Sequence, residues 1–169
     1  TAGFIRGENV YNDSLLWRTN PNPEAYRDAQ AIRLSSQLSG SRNNNDEWQI
    51  TPYLRHSSMN FLQHYLPGKP REENGQTSGG VQSSLKKNLG NEINLWLGAD
   101  IEWASMWVEE FQANPLGSPD NVRYQGQHYD FEVDSQQLAA FANLERRVSA
   151  KLTAEAGLRI ETINYDYQN

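Results

Sequence analysis

A chain of 169 residues is long enough for one domain or part of a larger one, and 15 Lys and Arg against 21 Asp and Glu give it a net charge of -6. No basic stripe runs along any segment, so the charge pattern argues against a nucleic-acid partner. The mean hydropathy of -0.81 and the lack of an apolar run approaching about 18 residues exclude membrane-spanning helices. They do not exclude spanning strands, which need apolar residues only at alternate positions.

The predicted elements are six strands with polar segments between them. Thr1–Val10 holds only a short alternation, which predicts the frayed end of a strand, and Asn12–Pro23 is predicted to be a loop because its prolines remove ladder donors. Asn60–Ser78 and Glu109–Ser135 are predicted to be long polar loops, since both are rich in proline and glycine. Alternation of apolar and polar residues predicts strands at Tyr26–Leu38, Trp48–Arg55, Val81–Lys86, Ile93–Trp103, Leu138–Leu144 and Leu152–Glu161.

The stretch Ile93–Trp103 has the longest regular alternation in the chain. It spans about 33 Å at roughly 3.3 Å per residue, and a tilt of roughly 40° leaves a height of about 25 Å, that of the apolar band of an outer-membrane barrel. Trp48 and Trp103 lie at opposite ends of this band, which is typical of aromatic girdles at the headgroup level. The sequence therefore predicts strands that cross a bilayer.

The predicted connections alternate between short and long, at about 8, 19, 5, 28 and 5 residues. A meander places alternate connections at opposite ends of the sheet, as do the periplasmic turns and extracellular loops of outer-membrane barrels. Pro52 interrupts its predicted strand, and a proline predicts an edge strand because it lacks a ladder donor. The predicted fold class is all-β: an antiparallel up-and-down meander of about six to seven strands from a transmembrane β-barrel.

The apolar rows also predict how neighbouring strands pair, because apolar residues must face apolar residues. An aromatic ring that covers a cross-strand glycine is a further device that fixes a register. The expected pairs are Leu144 with Ala154, Phe141 with Gly157, Asn143 with Glu155, Leu85 with Ile93, and Lys86 with Glu92.

Several short segments carry a resemblance to a known family. They are Thr51-Pro52-Tyr53-Leu54-Arg55, Phe61-Leu62-Gln63-His64-Tyr65-Leu66-Pro67-Gly68, Glu73-Asn74-Gly75-Gln76, His128-Tyr129-Asp130-Phe131, and Gly157-Leu158-Arg159-Ile160-Glu161 followed by Tyr165-Asp166-Tyr167. Together they resemble the barrel of TonB-dependent outer-membrane receptors, over about Pro23 to Asn169.

The resemblance implies a barrel of about 22 strands, filled by an N-terminal plug domain, in the outer membrane of a Gram-negative bacterium. Such receptors import scarce ligands, ferric siderophores among them, with force delivered by TonB, so the implied function is active transport and not an enzymatic reaction. The implied partners are outer-membrane lipid, TonB, the plug domain and a small-molecule ligand such as an iron chelate. Because a bacterial barrel needs about eight strands to close, we expect residues 1–169 to be part of the barrel, without the plug and the remaining strands.

The candidate ligand contacts lie in the predicted loops. A histidine, an arginine and tyrosine rings could contact a ferric chelate there, although loop packing explains the same residues. The candidates are His64, Tyr65, Arg71, His128 and Tyr129.

A second set of candidates shares the polar parity of the predicted strands. In an intact receptor these residues would contact the plug or line the ligand path, and the first reading is favoured. Carboxylates and guanidinium groups shielded from water must pair, so this face should carry a cross-strand network. The candidates that face the lumen or the plug are Arg33, Arg55, Trp96, Asp100, Glu102, Glu155 and Arg159.

Metal and catalytic sites find little support in the sequence. The chain has no cysteine, its three histidines have no short metal-ligand spacing, and we expect no cofactor. Asp130, Glu132 and Asp134 could hold Ca²⁺, but solvated charges explain them better. Asp100 and Glu102 are the one plausible carboxylate pair for acid–base chemistry, and with no nucleophile near them in sequence a structural role is expected.

The alternative function is a soluble antiparallel β-sheet module that binds a ligand. Sheets of soluble proteins also have one solvent-exposed face and one face packed on the core. In such a module the apolar rows would therefore face a second sheet or a helix. No segment with helical periodicity remains to supply that cover, which favours the membrane reading.

Overall fold

In the part of the chain that the structure describes, seven antiparallel strands form one sheet. The computed structural model describes residues 7–42, 46–115 and 124–169. Before the first strand, the described residues form turns and a short 3₁₀ helix at Val10–Asn12, so the predicted loop at Asn12–Pro23 is confirmed. The strands are β1 Arg27–Ser35, β2 Leu38–Arg42, β3 Asp46–Leu62, β4 Arg71–Gly90, β5 Ile93–Gln112, β6 Gly126–Ser149 and β7 Leu152–Gln168.

The sheet is a meander with the order β1-β3-β4-β5-β6-β7, and β2 pairs with β3 as well. All of the pairings are antiparallel. The predicted all-β meander is therefore confirmed. The predicted strand end at Thr1–Val10 falls mainly on residues 1–6, outside the described residues, and its remainder is turn and 3₁₀ helix.

Pro52 lies within β3, which has β4 on one side and both β1 and β2 on the other. The prediction that Pro52 marks an edge strand is wrong. The neighbouring strand is interrupted instead: β1 ends at Ser35, β2 begins at Leu38, and between them the Ser36 N–H donates to the Pro52 carbonyl at 3.1 Å. Since proline has no N–H to return that bond, the ladder breaks at this point.

β3 to β7 are much longer than predicted, and parts of both predicted polar loops are strand. The first predicted strand, Tyr26–Leu38, is instead divided between β1, which ends at Ser35, and β2, which begins at Leu38. β4 begins at Arg71, inside the predicted loop at Asn60–Ser78, while β5 and β6 extend to Gln112 and from Gly126. The Asn74-Gly75 dipeptide indicated a turn, but Gly75 lies in β4 directly opposite Trp107. A Cβ at Gly75 would fall 2.7 Å from the indole ring, so the aromatic side chain fills the place of the absent one.

The connections still alternate between short and long. At one end of the sheet, β2 ends at Arg42 and β3 begins at Asp46, and residues 91–92 and 150–151 connect β4 to β5 and β6 to β7. At the other end, residues 63–70 connect β3 to β4, and β5 ends at Gln112 before β6 begins at Gly126. The predicted arrangement of ends is correct, although every connection is shorter than predicted. The ends are called here the short-turn end and the long-loop end.

The predicted registers are wrong, by two residues in one hairpin and four in the other. Leu144 lies opposite Ala156, not Ala154, and Leu85 lies opposite Leu97, not Ile93. The other three expected pairs shift with them: Phe141 lies opposite Arg159 on β7, Asn143 opposite Gly157, and Lys86 opposite Trp96. Phe141 does cover a glycine, but it is Gly98 on β5.

The two faces of the sheet differ sharply. One, the apolar face, carries exposed side chains such as Leu54, Leu97 and Trp103 at alternate positions, and the other, the polar face, carries Tyr53, Arg55 and Glu102. The most buried strand residues all share the parity of the polar face, among them Phe61, Ser78, Ala104, Glu110, Val133 and Ala139. The side chains on the polar face are therefore the crowded ones.

No part of the described chain covers the apolar face. Leu158 and Ile160 are 67% and 69% exposed, and Leu97, in the middle of the sheet, is 38% exposed. Leu95 is half-buried. Among the described residues there is no helix with the length and apolar content to cross a membrane.

Candidate functional site

The centre of the polar face is a cluster built on β3, β4 and β5. Tyr53 lies directly opposite Gly80, where a Cβ would fall 2.6 Å from the phenol oxygen, so the ring passes over the glycine toward the next strand. There its hydroxyl donates to Glu102 Oε2 at 2.5 Å. The absence of a side chain at Gly80 thus brings together two residues on strands that are not neighbours.

Arg55 completes this cluster. Its guanidinium lies 4.8 Å from the centre of the Tyr53 ring, forms an ion pair with Glu102, and donates from Nε to Ser78 Oγ at 3.1 Å. The side chains of Arg55 and Glu102 are 39% and 23% exposed. We define Tyr53, Arg55, Ser78 and Glu102 as the central cluster.

A second polar cluster lies beside it on β5 and β7. Arg159 donates to Asp100 Oδ2 at 2.8 Å and to Glu161 Oε2 at 3.0 Å. It crosses β6 to do so, passing Phe141, which packs on Gly98. The predicted cross-strand network on this face is therefore present, since four of its predicted members form two ion pairs.

The remaining predicted residues of this face lie around those clusters. Trp96 lies nearer the short-turn end, where the Lys86 Nζ is 5.8 Å from the centre of its ring and 3.9 Å from Glu47 Oε1. Glu155 accepts a hydrogen bond from Asn143. Arg33 lies directly opposite Arg55, so two guanidinium-bearing residues are neighbours on β1 and β3.

A cavity of about 550 Å³ lies on this face near the short-turn end. Trp96, Lys86 and Glu47 line it together with small polar residues of β2 and β4. An indole surface beside one cation and one carboxylate suits a mixed polar and aromatic partner better than a single charged one.

His64 and Tyr65 lie together in the connection between β3 and β4. Their rings meet edge to face with centroids 5.6 Å apart, and Tyr65 is 63% exposed. The connection is anchored to the segment before β1 by an ion pair between Lys69 and Glu24. The hydrogen bond from Lys69 holds the pKa of the Glu24 carboxyl below its ordinary value.

The structure does not bring Arg71 together with His64, and Arg71 does not lie on the polar face. It begins β4 on the parity of the apolar face, beyond the apolar rows, and pairs there with Glu73 and with Asn60 Oδ1 at 3.2 Å. With Glu109 and Phe111 it lines a shallow depression near the long-loop end.

The side chain of His128 is only 7% exposed, and both of its ring nitrogens have hydrogen-bond partners. Its neighbour Tyr129 is 51% exposed. The His128 Nδ1 is 2.7 Å from Glu110 Oε1, and its Nε2 is 2.7 Å from the carbonyl oxygen of Tyr124. Glu110 itself is only 2% exposed. His128 thus ties the ends of β5 and β6 together, beside the register shift after Glu110.

The sequence did not single out Ser78, Gly80, Gly98 or Glu110. Ser78 lies in a segment predicted to be a loop. The two glycines have a role only because aromatic rings of neighbouring strands lie over them. A signal for Gly80 and Gly98 existed in the aromatic residues of neighbouring strands, but it required the correct registers.

Within the described ranges, no group of three or more His, Asp and Glu side chains could hold a metal ion. Asp134 lies opposite Asp166, and Asp130 lies opposite Glu109, so these carboxylates face one another in pairs along the sheet. Asp100 and Glu102, considered above for acid–base chemistry, each pair with an arginine.

A meander with one bare apolar face and one polar face joined by ion pairs is the architecture of a β-barrel wall. The sequence of residues 1–169 matches the family described as TonB dependent receptor-like, beta-barrel. The chain belongs to this family, and the resemblance seen in its sequence is confirmed. The family consists of transport receptors of the Gram-negative outer membrane and is not a family of enzymes.

Among solved structures, the chain is similar to one in the structure of the FpvAI–pyocin S2 complex, with a TM-score of 0.67 and 10% sequence identity. The alignment covers 82% of this chain and 22% of that chain, so this chain spans about a fifth of its length. At this identity the likeness shows the fold alone. No curated protein matches the sequence.

Proposed function

We propose that this chain is part of the barrel of an outer-membrane receptor that imports a scarce ligand, such as a ferric siderophore, by TonB-dependent active transport. The observation that carries the proposal is the division of the sheet into two faces: Leu97, Leu158 and Ile160 are bare on one face, and ion pairs join the strands on the other. Membrane lipid would cover the apolar face, and the contents of the barrel interior would cover the polar face.

The polar face supports a contact with the plug domain of the complete receptor. The ion pairs of Glu102 with Arg55 and of Asp100 with Arg159 leave these groups partly exposed, at 22% to 43% of each side chain. Groups already paired within the wall offer hydrogen bonds without requiring a matching charge on the partner. Arg33 and Trp96 extend the same surface toward β1 and the short-turn end.

The long-loop end supports a contact with the ligand. In barrels of this kind the long loops are extracellular, so His64, Tyr65 and Tyr129 would lie on the side from which a ligand arrives. Tyr65 and Tyr129 expose aromatic surface there. His128 would hold the ends of β5 and β6 together beneath these loops. Arg71 would lie on the side of the apolar face.

The experiment is an uptake assay on cells that produce the complete receptor. Labelled ferric siderophores, cobalamin and oligosaccharides are supplied one at a time, with and without the gene for TonB. We expect accumulation of one ligand class that is lost without TonB. Accumulation that does not depend on TonB would remove active transport from the proposal.

The soluble binding module is the other class of function, and it requires a cover for the apolar face. A complete protein that is monomeric in water without detergent, with native strand content, would favour that module and contradict the membrane receptor.

A further inference from the structure

A groove of about 560 Å³ crosses the apolar face beside the ladder break at Pro52. Its volume is in the range of pockets that hold small ligands. Gly79 has no side chain, and Leu54 Cδ2 lies 2.8 Å from where its Cβ would be. Ser35 and Ser36, at the end of β1 and beyond, also line the groove, as do Tyr53, Gly79 and Gly80. The apolar lining residues are Leu34, Pro52, Leu54, Val81 and Trp103.

The chemistry of the lining selects an apolar occupant. None of the described residues that line the groove carries a charge. Leu34, Leu54 and Trp103 are each at least half exposed, so the groove presents hydrocarbon and indole surface. A narrow occupant without hydrogen-bonding groups fits such a lining.

The position of the groove on the sheet indicates where an apolar occupant would come from. In the strand registers Leu34, Leu54, Gly79 and Trp103 form one row across β1, β3, β4 and β5. The next row toward the long-loop end has Ile32 on β1 and is polar from β3 onward, with His56, Thr77, Ser105, Asp134 and Asp166. The groove therefore begins where the apolar rows end on the long-loop side, and it continues toward the short-turn end past Pro52 and Val81.

We infer that this groove holds one acyl chain of a membrane lipid, from the leaflet on the long-loop side. The inference rests on the proposed function, because it requires the apolar face to lie in a bilayer. It goes further in assigning a chain that stays longer in this groove than lipid stays on the flat remainder of the same face. The indole of Trp103 and the Leu54 methyl group that lies over Gly79 would contact that chain.

The test is photo-crosslinking of the complete receptor in vesicles of phosphatidylethanolamine that carries a diazirine in one acyl chain. Adducts are mapped by mass spectrometry of the peptides. We expect several-fold more adduct at Leu34, Leu54 and Val81 than at Leu158 and Ile160, although the latter two are at least as exposed. Gly79→Leu fills the groove and should remove the excess.

Ala140→Leu is the matched control, because Ala140 is exposed on the same face of β6 and does not line the groove. It should leave the excess unchanged. Leu54→Trp, which fills the groove from β3, provides a second variant and should behave like Gly79→Leu.

The outcomes separate this inference from the function on which it rests. Equal labelling of the groove and of Leu158 and Ile160 would overturn the inference and leave the membrane location intact, as would labelling of Leu158 and Ile160 alone. If neither region is labelled, the apolar face does not contact lipid, and the proposed function fails first.

Discussion

The ring of Tyr53 lies across Gly80, and a methyl group at position 80 would fall 2.4 Å from the carbonyl oxygen of Ile101. A backbone atom inside a sheet cannot move aside as a side chain can, so Gly80→Ala must shift a strand. We expect the free energy of unfolding of the complete receptor to fall by about 1–3 kcal/mol, the usual cost of overpacking. Urea unfolding followed by tryptophan fluorescence measures this change.

Gly79→Ala is the natural control for that variant. The nearest atom to its added methyl group is Leu54 Cδ2 at 2.8 Å, the end of a flexible side chain that can rotate away. Its loss of stability should be clearly smaller. Equal losses at the two glycines would contradict the close approach of Tyr53 and Ile101 at Gly80.

The ion pair of Arg55 with Glu102 should show measurable coupling in a double-mutant cycle. Both side chains are partly shielded, and Glu102 also accepts the Tyr53 hydroxyl, so we expect about 1 kcal/mol from Arg55→Met, Glu102→Gln and the double variant. The same cycle on Lys86 and Glu47 should give close to zero, because these groups are 3.9 Å apart and Glu47 is 61% exposed. A larger coupling for Lys86 with Glu47 would contradict the assignment of the central cluster.

Parity alone predicted which charged residues share a face, but not which of them touch. Arg55, Asp100, Glu102 and Arg159 were assigned to one face from alternation, and all four lie there in ion pairs. Ser78 was missed because proline and glycine on either side suggested a loop. The burial of His128 depends on Glu110, a distant partner that no local pattern marks.

At the scale of the elements, the register between β6 and β7 can be tested directly because the chain has no cysteine. Leu144→Cys with Ala156→Cys places two thiols directly across the strand pair, within the Cα separation that a disulfide accepts. We expect rapid crosslinking on mild oxidation of the complete receptor, detected as a mobility shift.

Leu144→Cys with Ala154→Cys is the control, since it matches the register that the apolar rows alone suggested. It should crosslink slowly or not at all. Faster crosslinking at position 154 than at position 156 would show that the strands are shifted by two residues.

The registers could not be predicted from the apolar rows because a shift by an even number of residues keeps every side chain on its face. The turns decide between such registers. In the hairpin of β4 and β5, Asn91 and Glu92 both have positive φ, of 51° and 59°, as a two-residue turn of type I′ requires. Glutamate is an unusual residue in such a turn, so a connection of only two residues is not evident from the amino-acid pattern.

At the scale of the whole molecule, the outward residues of β5 are all apolar from Ile93 to Trp103, and Leu97, Ala99 and Trp103 among them are exposed. Polar outward residues first occur beyond Trp103. The apolar rows span about 33 Å along the strand, or about 25 Å of height at a tilt of roughly 40°. β5 continues to Gln112, and the outward residues of that extension alternate between polar and aromatic, Ser105, Trp107, Glu109 and Phe111. Ser105 and Glu109 lie beside Thr77, Asp134 and Asp130. The strands therefore extend past the apolar band at the long-loop end.

Alternation predicts the part of each strand that carries the apolar rows, because a strand with one apolar and one polar face has a strict period of two. Beyond the apolar rows both faces carry polar residues, Ser105 and Glu109 on one and Glu110 on the other, and the alternation disappears. The ends of β4, β5 and β6 resemble loops in the sequence for that reason. The sequence indicates the apolar band, and the hairpins that extend beyond it are seen only in the structure.

The central claim is that the apolar face contacts lipid, and accessibility scanning along β5 tests it most directly. Spin labels are placed singly at residues 95–109 of the complete receptor in vesicles, and their collision rates with oxygen and with a water-soluble nickel chelate are measured. We predict that oxygen accessibility is high at Leu95, Leu97, Ala99, Ile101 and Trp103, low at the residues between them, and replaced by nickel accessibility at Ser105 and Glu109. High nickel accessibility at Leu97 and Ile101 would show that this face lies in water, and the membrane receptor would be contradicted.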